Sequence, residues 1–361
     1  MKIKFRIKFL FLSFIAITFF IAKVDSQNVQ QVSNQSCSLL KDKKTPCYQG
    51  YLFAYFEGSG DLLEQEQLRF GVSADALSWY ALNNNKPIIA SDTISKTGGI
   101  RDPYIMRGED EETFLMVATD MFVSKDGWGH NPGIILLRSD NLTQWQHSII
   151  DLAKIYPETF GNVQWVWAPQ VIFDSDAGKY LVYFTIRFKE QDNLDFYCAY
   201  ANENFTGFIE EPKLMFRAKY GAIDGDIIYK DGIYHFFYKG NTKDENGEEI
   251  KNGIQQATSK SLKGPWKEDF KYLDAYAGKT VVEGSSVFKL NNSDNYILMY
   301  DLYRNQRYEF QRSTDLYHFT PEPESFTKDF NPRHGSVISI TKEEAIRLNN
   351  KWGGVPSELL K

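Results

Sequence analysis

The chain has 361 residues, enough to bury a large core in one domain or in two smaller ones. Aromatic residues make up 15% of it, which favours β structure because tyrosine and phenylalanine fit pleated, half-buried surfaces. The net charge of -6 comes without a basic patch, which argues against nucleic acid or a membrane surface as a partner and suits a neutral ligand such as a sugar.

The N-terminus predicts an export signal. Four basic residues lie within the first eight positions, an apolar run spans Phe9–Ala22, and the small residue Ser26 follows. We predict that residues 1–26 are a signal peptide cleaved before Gln27, so that the mature protein is secreted or periplasmic. The alternative is an uncleaved membrane anchor, although the run is short for a transmembrane helix.

The chain contains three cysteines. Export permits a disulfide, and Cys37 and Cys47 are close enough in sequence to close a short loop. Cys198 is expected to be a buried thiol within a strand. Three scattered cysteines with few histidines nearby do not form a zinc site.

A weak internal repeat runs through the rest of the chain, and repeats decide architecture. Each copy is a short strand that opens with a special residue, continues with proline or glycine, and becomes apolar. The five copies open at Asp102, Ala168, Asp224, Glu283 and His334. In the first four copies an apolar β run follows, at Phe114–Ala118, Tyr180–Phe184, Tyr234–Tyr238 and Tyr296–Tyr300.

A second repeated unit is a strand that enters a polar turn ending on an aromatic residue. Its copies lie at Ser73–Trp79, Ser139–Trp145, Ala201–Phe208, Ser259–Trp266 and Ser313–Phe319. The first of these copies precedes any opening strand, and no copy follows the opening strand at His334. A linear array of the two units would therefore leave both chain ends unpaired.

A closed ring removes this mismatch. Strands predicted at Tyr51–Phe56, Leu68–Val72 and Trp79–Leu82 would complete the blade that His334 opens, and closure leaves few exposed sheet edges. We therefore predict an all-β protein in which residues 27–361 form a single five-bladed β-propeller. A β-sandwich with chance similarities between its strands is the alternative.

The innermost strand of each propeller blade lines the central channel, so the five opening residues should meet around one axis. Three of the five are carboxylates, which raise one another's pKa when crowded, as in catalytic sites. Glycoside hydrolysis needs such a set. We predict Glu283 as the general acid, Asp102 as the base that activates water, and Asp224 as the group that keeps the pKa of the acid high.

Each of these residues also has a structural interpretation. Asp102 could cap a turn, and Asp226 rather than Asp224 could be the functional residue of its strand. Glu283 could be an ion-pair partner within the channel. His334 could bind a central metal, hold waters around one, or be a satisfied polar residue.

These motifs resemble glycoside hydrolase family 43. The resemblance covers nearly all of the mature chain and is carried by the segments Gly98–Pro103, Trp167–Pro169, Ile223–Asp224 and Val282–Gly284. It implies an inverting hydrolase with Asp102 as general base, Asp224 as pKa modulator and Glu283 as general acid. It also implies a calcium ion in the central channel near His334. Gln170 and Gly225 depart from the usual pattern, which leaves the sugar open.

Four residues are predicted to contact the sugar. Trp165 and Trp167 could stack on a sugar face, with core packing as the alternative, and Arg101 and Arg187 could bind hydroxyl groups. The partner is then an oligo- or polysaccharide, without nucleic acid or membrane, and the protein is expected to be a monomer without any cofactor besides calcium.

We predict an exo-acting α-L-arabinofuranosidase that acts on plant polysaccharide side chains. Two enzyme alternatives share the fold: a β-xylosidase or β-galactosidase on the same site, and a retaining enzyme of the invertase type. The alternative from another functional class is a non-catalytic propeller that binds carbohydrate.

Overall fold

The alternating apolar residues of the repeat fold as short strands that group into sheets. The computed structural model describes residues 46–243, 249–276, 280–305, 307–322 and 326–361. The predicted signal peptide and Cys37 lie outside these ranges. The first strands of the described residues are β1 (Tyr48–Glu57), β2 (Arg69–Ser73) and β3 (Ser78–Ala81), close to the three that the sequence predicts.

Four sheets follow, each built from four consecutive antiparallel strands, and we number them as blades one to four. Blade one contains β4 (Ile100–Arg107), β5 (Phe114–Asp120), β6 (Gly133–Ser139) and β7 (Gln146–Asp151). Blade two contains β8 (Val163–Asp174), β9 (Lys179–Phe188), β10 (Asp195–Tyr200) and β11 (Lys213–Phe216). Blade three contains β12 (Ala222–Lys230), β13 (Ile233–Lys243), β14 (Glu249–Ser259) and β15 (Lys267–Glu268). Blade four contains β16 (Glu283–Lys289), β17 (Tyr296–Leu302), β18 (Arg307–Ser313) and β19 (Thr320–Pro321).

Blade five joins the two ends of the described chain. Its channel strand β21 (Pro332–Thr341) pairs antiparallel with β1, and β2 and β3 continue the sheet outwards. The short strand β20 (Thr327–Lys328) adds to β3 in parallel. The fold is therefore a five-bladed β-propeller, and the ring closure predicted from the out-of-phase repeats is confirmed.

Helices in the described residues are short, apart from the last one. They are α1 (Leu62–Gln65), α2 (Val123–Asp126), α3 (Leu152–Ile155), α4 (Pro157–Phe160) and α5 (Lys342–Trp352), with 3-10 turns at Leu82–Asn85, Ser91–Thr93 and Ser357–Leu359. α5 begins with a capping box between Thr341 and Glu344. None of the described helices has the length and hydrophobicity needed to cross a membrane.

The second repeated unit contains the turn that joins the third strand of each blade to the fourth. In three copies an Asp or Asn side chain accepts hydrogen bonds from the backbone N–H groups two and three residues later, at Asp75, Asn141 and Asp315. The cores lie between neighbouring blades and consist mainly of aromatic and β-branched side chains. Cys198 on β10 is buried there as a free thiol, as predicted.

Every channel strand contains a β-bulge near its start, and the bulge sets which residues are equivalent. The pairing register shifts after Arg101, Trp167, Ile223 and Glu283 in blades one to four. The next residue in each blade, at Asp102, Ala168, Asp224 and Gly284, has φ between 44° and 64°.

The bulge positions correct the predicted alignment of blade four by one residue. Gly284, not Glu283, is equivalent to Asp102, whereas Glu283 is equivalent to Arg101. Glycine is needed at 284 because φ is 64° and because a Cβ there would lie 2.5 Å from the His334 ring. The carboxylate of blade four therefore comes from the preceding residue, one step nearer the channel mouth.

Below the bulges, side chains two residues further along link neighbouring blades. The Ser336 hydroxyl accepts from Ile105 N at 2.7 Å, and Asp226 Oδ2 accepts from Val287 N at 2.6 Å. Tyr104 donates to Asp226 Oδ1 at 3.2 Å. Asp226 is thus a structural residue that joins blades three and four, and the alternative in which it replaces Asp224 in the site is not favoured.

We expect the Asp226→Asn variant to change how stability depends on pH. Burial raises the pKa of Asp226 to about 6, above its value in the unfolded chain, so this group disfavours the folded state as pH rises from about 4 to 6. The difference is on the order of 2–3 kcal/mol. The melting temperature of the wild type should therefore fall relative to that of the variant across this range. Parallel melting curves for the two proteins would contradict the prediction.

Candidate active site

Asp102 lies at the mouth of the channel on β4. Its Oδ2 accepts a hydrogen bond from Thr119 Oγ1 at 2.8 Å, and its Oδ1 lies 2.9 Å from His334 Nδ1. Burial alone would raise the pKa of Asp102, but the His334 ion pair and nearby Arg101 outweigh burial and hold it below the usual value. Asp102 is therefore an ionised carboxylate in the free protein, as a general base must be.

Glu283 lies on the other side of the same imidazole ring. Its Oε1 is 3.0 Å from His334 Nε2 and 2.8 Å from Arg333 Nη2, and its Oε2 is 2.8 Å from Lys239 Nζ. Burial opposes ionisation, but these three cations hold the pKa of Glu283 well below its usual value. Glu283 is thus an ion-pair partner in the free protein, the alternative that the sequence had left open.

Asp224 completes the predicted set on β12. Its Oδ2 accepts from Gly284 N at 3.0 Å and lies 3.8 Å from His334 Nδ1. Burial raises the pKa of Asp224; His334 lowers it, and the negative charge of Glu283 raises it again. The net direction is upward, so Asp224 is the member of the predicted set that holds a proton most readily.

His334 lies between the three carboxylates, with Nδ1 2.9 Å from Asp102 Oδ1 and Nε2 3.0 Å from Glu283 Oε1. Burial lowers the pKa of His334, but Asp224, Glu283 and Asp102 raise it well above the usual value. The raised pKa favours a protonated ring in the metal-free protein. One carboxylate oxygen each of Asp224 and Glu283 and one ring nitrogen of His334 nevertheless lie within 4.8 Å of one another, so these residues would hold the predicted calcium ion, and we derive no step through it.

The predicted calcium ion can be checked by chelation. Because a bound calcium ion would offset the repulsion between the crowded carboxylates, we expect EDTA to lower the melting temperature and added calcium to restore it. Differential scanning fluorimetry with EDTA, and then with added calcium, measures the effect. A melting temperature that EDTA leaves unchanged would contradict the calcium site.

Three charged residues of the site were not identified from the sequence. Lys239 and Asp301 lie opposite Ile223 and Glu283 on the second strands of their blades, and Arg333 directly precedes His334. Arg333 Nε is 2.5 Å from Asp301 Oδ2. Burial raises the pKa of Asp301 to about 6, although Arg333 opposes this.

A pocket of about 200 Å³ opens above these residues. Its lining combines the charged groups with apolar walls: Arg101, Asp102, Met121, Trp128, Trp167, Ile223, Asp224, Lys239, Glu283 and His334. Arg101 pairs with Glu66 at 2.6 Å, and its guanidinium lies 5.2 Å from the Trp128 ring. A small pocket with mixed aromatic and polar walls is typical of a ligand site.

Trp165 and Arg187 are not in this lining. The Trp165 ring stacks on Trp167, with centroids 4.2 Å apart and planes 11° apart. The Arg187 guanidinium lies 4.5 Å from the Trp165 ring. Because Trp167 covers one face of Trp165, Arg187 covers the other and supports the indole stack from outside. Of the four predicted sugar contacts, the structure brings Arg101 and Trp167 to the pocket.

Comparisons with known proteins agree with this geometry. A family model described as "Probable glycosyl hydrolase domain", in the group related to glycoside hydrolase family 43, matches residues 46–345. A curated α-L-arabinofuranosidase from Bifidobacterium longum subsp. longum is 25% identical over 288 residues. The match covers 70% of this chain, which spans only 27% of the length of that relative.

Solved structures of the family share the fold. An exo-β-1,3-galactanase from Phanerochaete chrysosporium has a TM-score of 0.56 at 12% identity, over 76% of this chain and 60% of that one. An endo-arabinase from Bacteroides thetaiotaomicron has a TM-score of 0.52 at 15% identity, over 79% and 97%. With a family match over most of its length, this chain belongs to glycoside hydrolase family 43.

Proposed function

We propose that this protein is an exo-acting, inverting α-L-arabinofuranosidase that removes side-chain arabinose from plant polysaccharides outside the cell. The observation that carries the mechanism is the position of Asp102 and Glu283 on opposite sides of the His334 ring. Inverting enzymes keep their two carboxylates far enough apart to admit a water. The sugar is proposed from the curated relative, whose name is α-L-arabinofuranosidase.

The charges of the site leave room for one proton. Arg101 is already paired with Glu66. When the Arg101–Glu66 pair is left out of the count, the site contains four carboxylates and three cations. The net charge of the site is therefore zero when one of the four carboxylates is protonated. These groups are Asp102, Asp224, Glu283 and Asp301 against Lys239, Arg333 and His334.

In the proposed reaction, Asp102 takes a proton from the attacking water and Glu283 gives one to the leaving oxygen. Of the three predicted carboxylates, Asp224 takes up a proton most readily in the free protein, because its pKa is raised whereas cations hold the pKa of Glu283 low. A carboxylate oxygen of Asp224, a carboxylate oxygen of Glu283 and a ring nitrogen of His334 lie within 4.8 Å of one another. The proton therefore has a short path from Asp224 to Glu283. A leaving oxygen that displaces Lys239 from Glu283 would favour protonation of Glu283.

The Lys239→Met variant tests this step. Lys239 lowers the pKa of both Glu283 and Asp224, so its removal should raise both. Activity that requires a protonated acid is lost as pH rises through that pKa. We therefore expect the alkaline limb of the kcat/KM profile to move to higher pH in the variant. A profile measured between pH 4 and 9 with an unchanged alkaline limb would contradict the assignment.

The experiment that tests the proposed function uses the protein from Gln27 onward. Aryl α-L-arabinofuranoside, β-D-xyloside and β-D-galactoside are offered in turn, and NMR follows the anomer first released. We expect release of arabinose with inversion. Cleavage of the xyloside or galactoside alone would change the sugar but not the mechanism. Binding of oligosaccharides without hydrolysis would instead indicate a carbohydrate-binding propeller.

A further inference from the structure

A second cavity, of about 370 Å³, lies on the same face of blade one as the catalytic pocket. It is formed where the strands of the blade end on that face, at Asp120, Gly133 and Asp151. Asp120 pairs in register with Ile100, the neighbour of Arg101 in the pocket. The cavity, which we call the blade-one groove, is therefore adjacent to the site and opens on the same side.

One loop separates the blade-one groove from the catalytic pocket. Trp128 of this loop lines the pocket, whereas Asp126 and His130 line the groove. Asn131 belongs to the groove and also accepts a hydrogen bond from Trp167 Nε1 at 2.9 Å. The two cavities thus share a wall, and a ligand that leaves the pocket over Trp128 meets the groove next.

The base of the groove is held rigidly. Asp120 is buried and accepts hydrogen bonds from the Ser95 and Thr97 hydroxyls at 2.7 and 2.8 Å and from the Lys96 and Thr97 backbone N–H groups at 3.0 Å. The Lys96 ammonium in turn pairs with Asp151 at 2.9 Å. These groups satisfy one another, so they shape the groove without needing a ligand.

Other groups of the groove are available to a ligand. Asp126 and His130 are exposed, and in the described parts of the chain their side chains make no hydrogen bond or ion pair with protein. Lys154 is exposed nearby, and Ile149 and Pro132 add apolar surface. Hydroxyl-binding groups beside apolar surface suit a sugar ring. Three lysines balance three aspartates, which favours a neutral sugar over an acidic one: Lys96, Lys125 and Lys154, and Asp120, Asp126 and Asp151.

We propose that the blade-one groove binds a neutral sugar residue of the polysaccharide beyond the bond that is cleaved. The catalytic pocket has room for about one sugar, so the rest of the substrate must pass over the rim. This inference rests on the proposed function, because it assumes that the pocket holds the sugar to be released. The groove then selects polymeric substrates over small glycosides.

The double variant Asp126→Ala/His130→Ala tests the groove. Arabinotriose and 4-nitrophenyl α-L-arabinofuranoside are compared, because the aryl group is too small to need the groove. Two lost hydrogen bonds should lower kcat/KM for arabinotriose roughly ten-fold and leave the aryl substrate within about two-fold. The matched control is Asp140→Ala/His147→Ala, which removes the same residue types from exposed positions outside the groove on the same blade.

Equal kcat/KM for arabinotriose in the double variant and wild type would overturn the proposal, and so would an equal loss on both substrates. If the wild type cleaves no arabinoside, the proposed function fails and the groove is tested separately. Binding of arabinotriose and β-1,3-galactotriose is then measured by calorimetry. Weaker binding of either sugar by the double variant supports the groove. Unchanged binding, or none by the wild type, overturns it.

Discussion

The Glu283→Gln variant is expected to lose about a thousand-fold in kcat on substrates with poor leaving groups, and far less on 2,4-dinitrophenyl glycosides. Glutamine keeps the shape of the side chain but cannot give a proton to the leaving oxygen. General acid catalysis contributes roughly 10²–10⁴-fold, and a leaving group that departs as a stable anion does not need it. The ratio of the two losses therefore identifies the acid. Steady-state kinetics on alkyl and dinitrophenyl glycosides measures both.

The matched control for this variant is Glu322→Gln. Glu322 is also a glutamate whose side chain is shielded and paired with an arginine, Arg312, but it lies at the outer edge of blade four. It should keep activity on both substrates. If Glu283→Gln loses the same factor of kcat on alkyl and dinitrophenyl glycosides, Glu283 acts by charge or position rather than as the acid. Asp224 then becomes the first candidate for the proton donor.

The Asp102→Asn variant is expected to lose at least as much kcat as Glu283→Gln does on substrates with poor leaving groups. Its loss should, however, be similar for every leaving group. Asp102 acts on the water and not on the departing oxygen, so leaving-group strength should not compensate for its loss. Asparagine tolerates the left-handed backbone at this position, where φ is 51°, so the bulge should be kept. Kinetics on the same two substrates checks this, with circular dichroism to confirm the fold.

A suitable control for the base is Asp174→Asn. Asp174 is a buried aspartate on β8 whose Oδ2 accepts from the Tyr200 hydroxyl at 2.5 Å, away from the pocket. The Asp174→Asn variant should retain kcat on both substrates, and its melting temperature is measured separately. An Asp102→Asn protein that regains activity on dinitrophenyl substrates would place Asp102 on the leaving-group side, contrary to the proposed mechanism.

The sequence was sufficient to predict the propeller because its two repeated units are out of phase, and only a ring pairs both chain ends. It also selected three carboxylates that the structure brings together around His334, and their catalytic roles stay predictions. It placed Glu283 at the wrong equivalent position, because a bulge adds one residue to a strand without leaving a mark in the hydrophobic pattern. The crowding of Gly284 against His334 depends on side-chain geometry across two blades, which spacing alone does not give.

A signal for two of the missed residues was nevertheless present. Each apolar run of a second strand is followed by one polar residue: Thr119, Thr185, Lys239 and Asp301. These residues pair with the position just before the bulge, so they meet at the channel mouth. The loop beside Trp128 is marked in the sequence by Gly127 and Gly129, but the shape of the blade-one groove depends on the path that this loop takes.

Ring closure also bears on how the chain folds as it is made. β1 finds its partner in β21, about three-quarters of the chain away, so this protein has contacts of very high sequence separation. At roughly 5–20 residues per second, the N-terminal strands wait on the order of 15–50 s for that partner to be synthesised. During this interval β1 offers an unpaired edge to other chains.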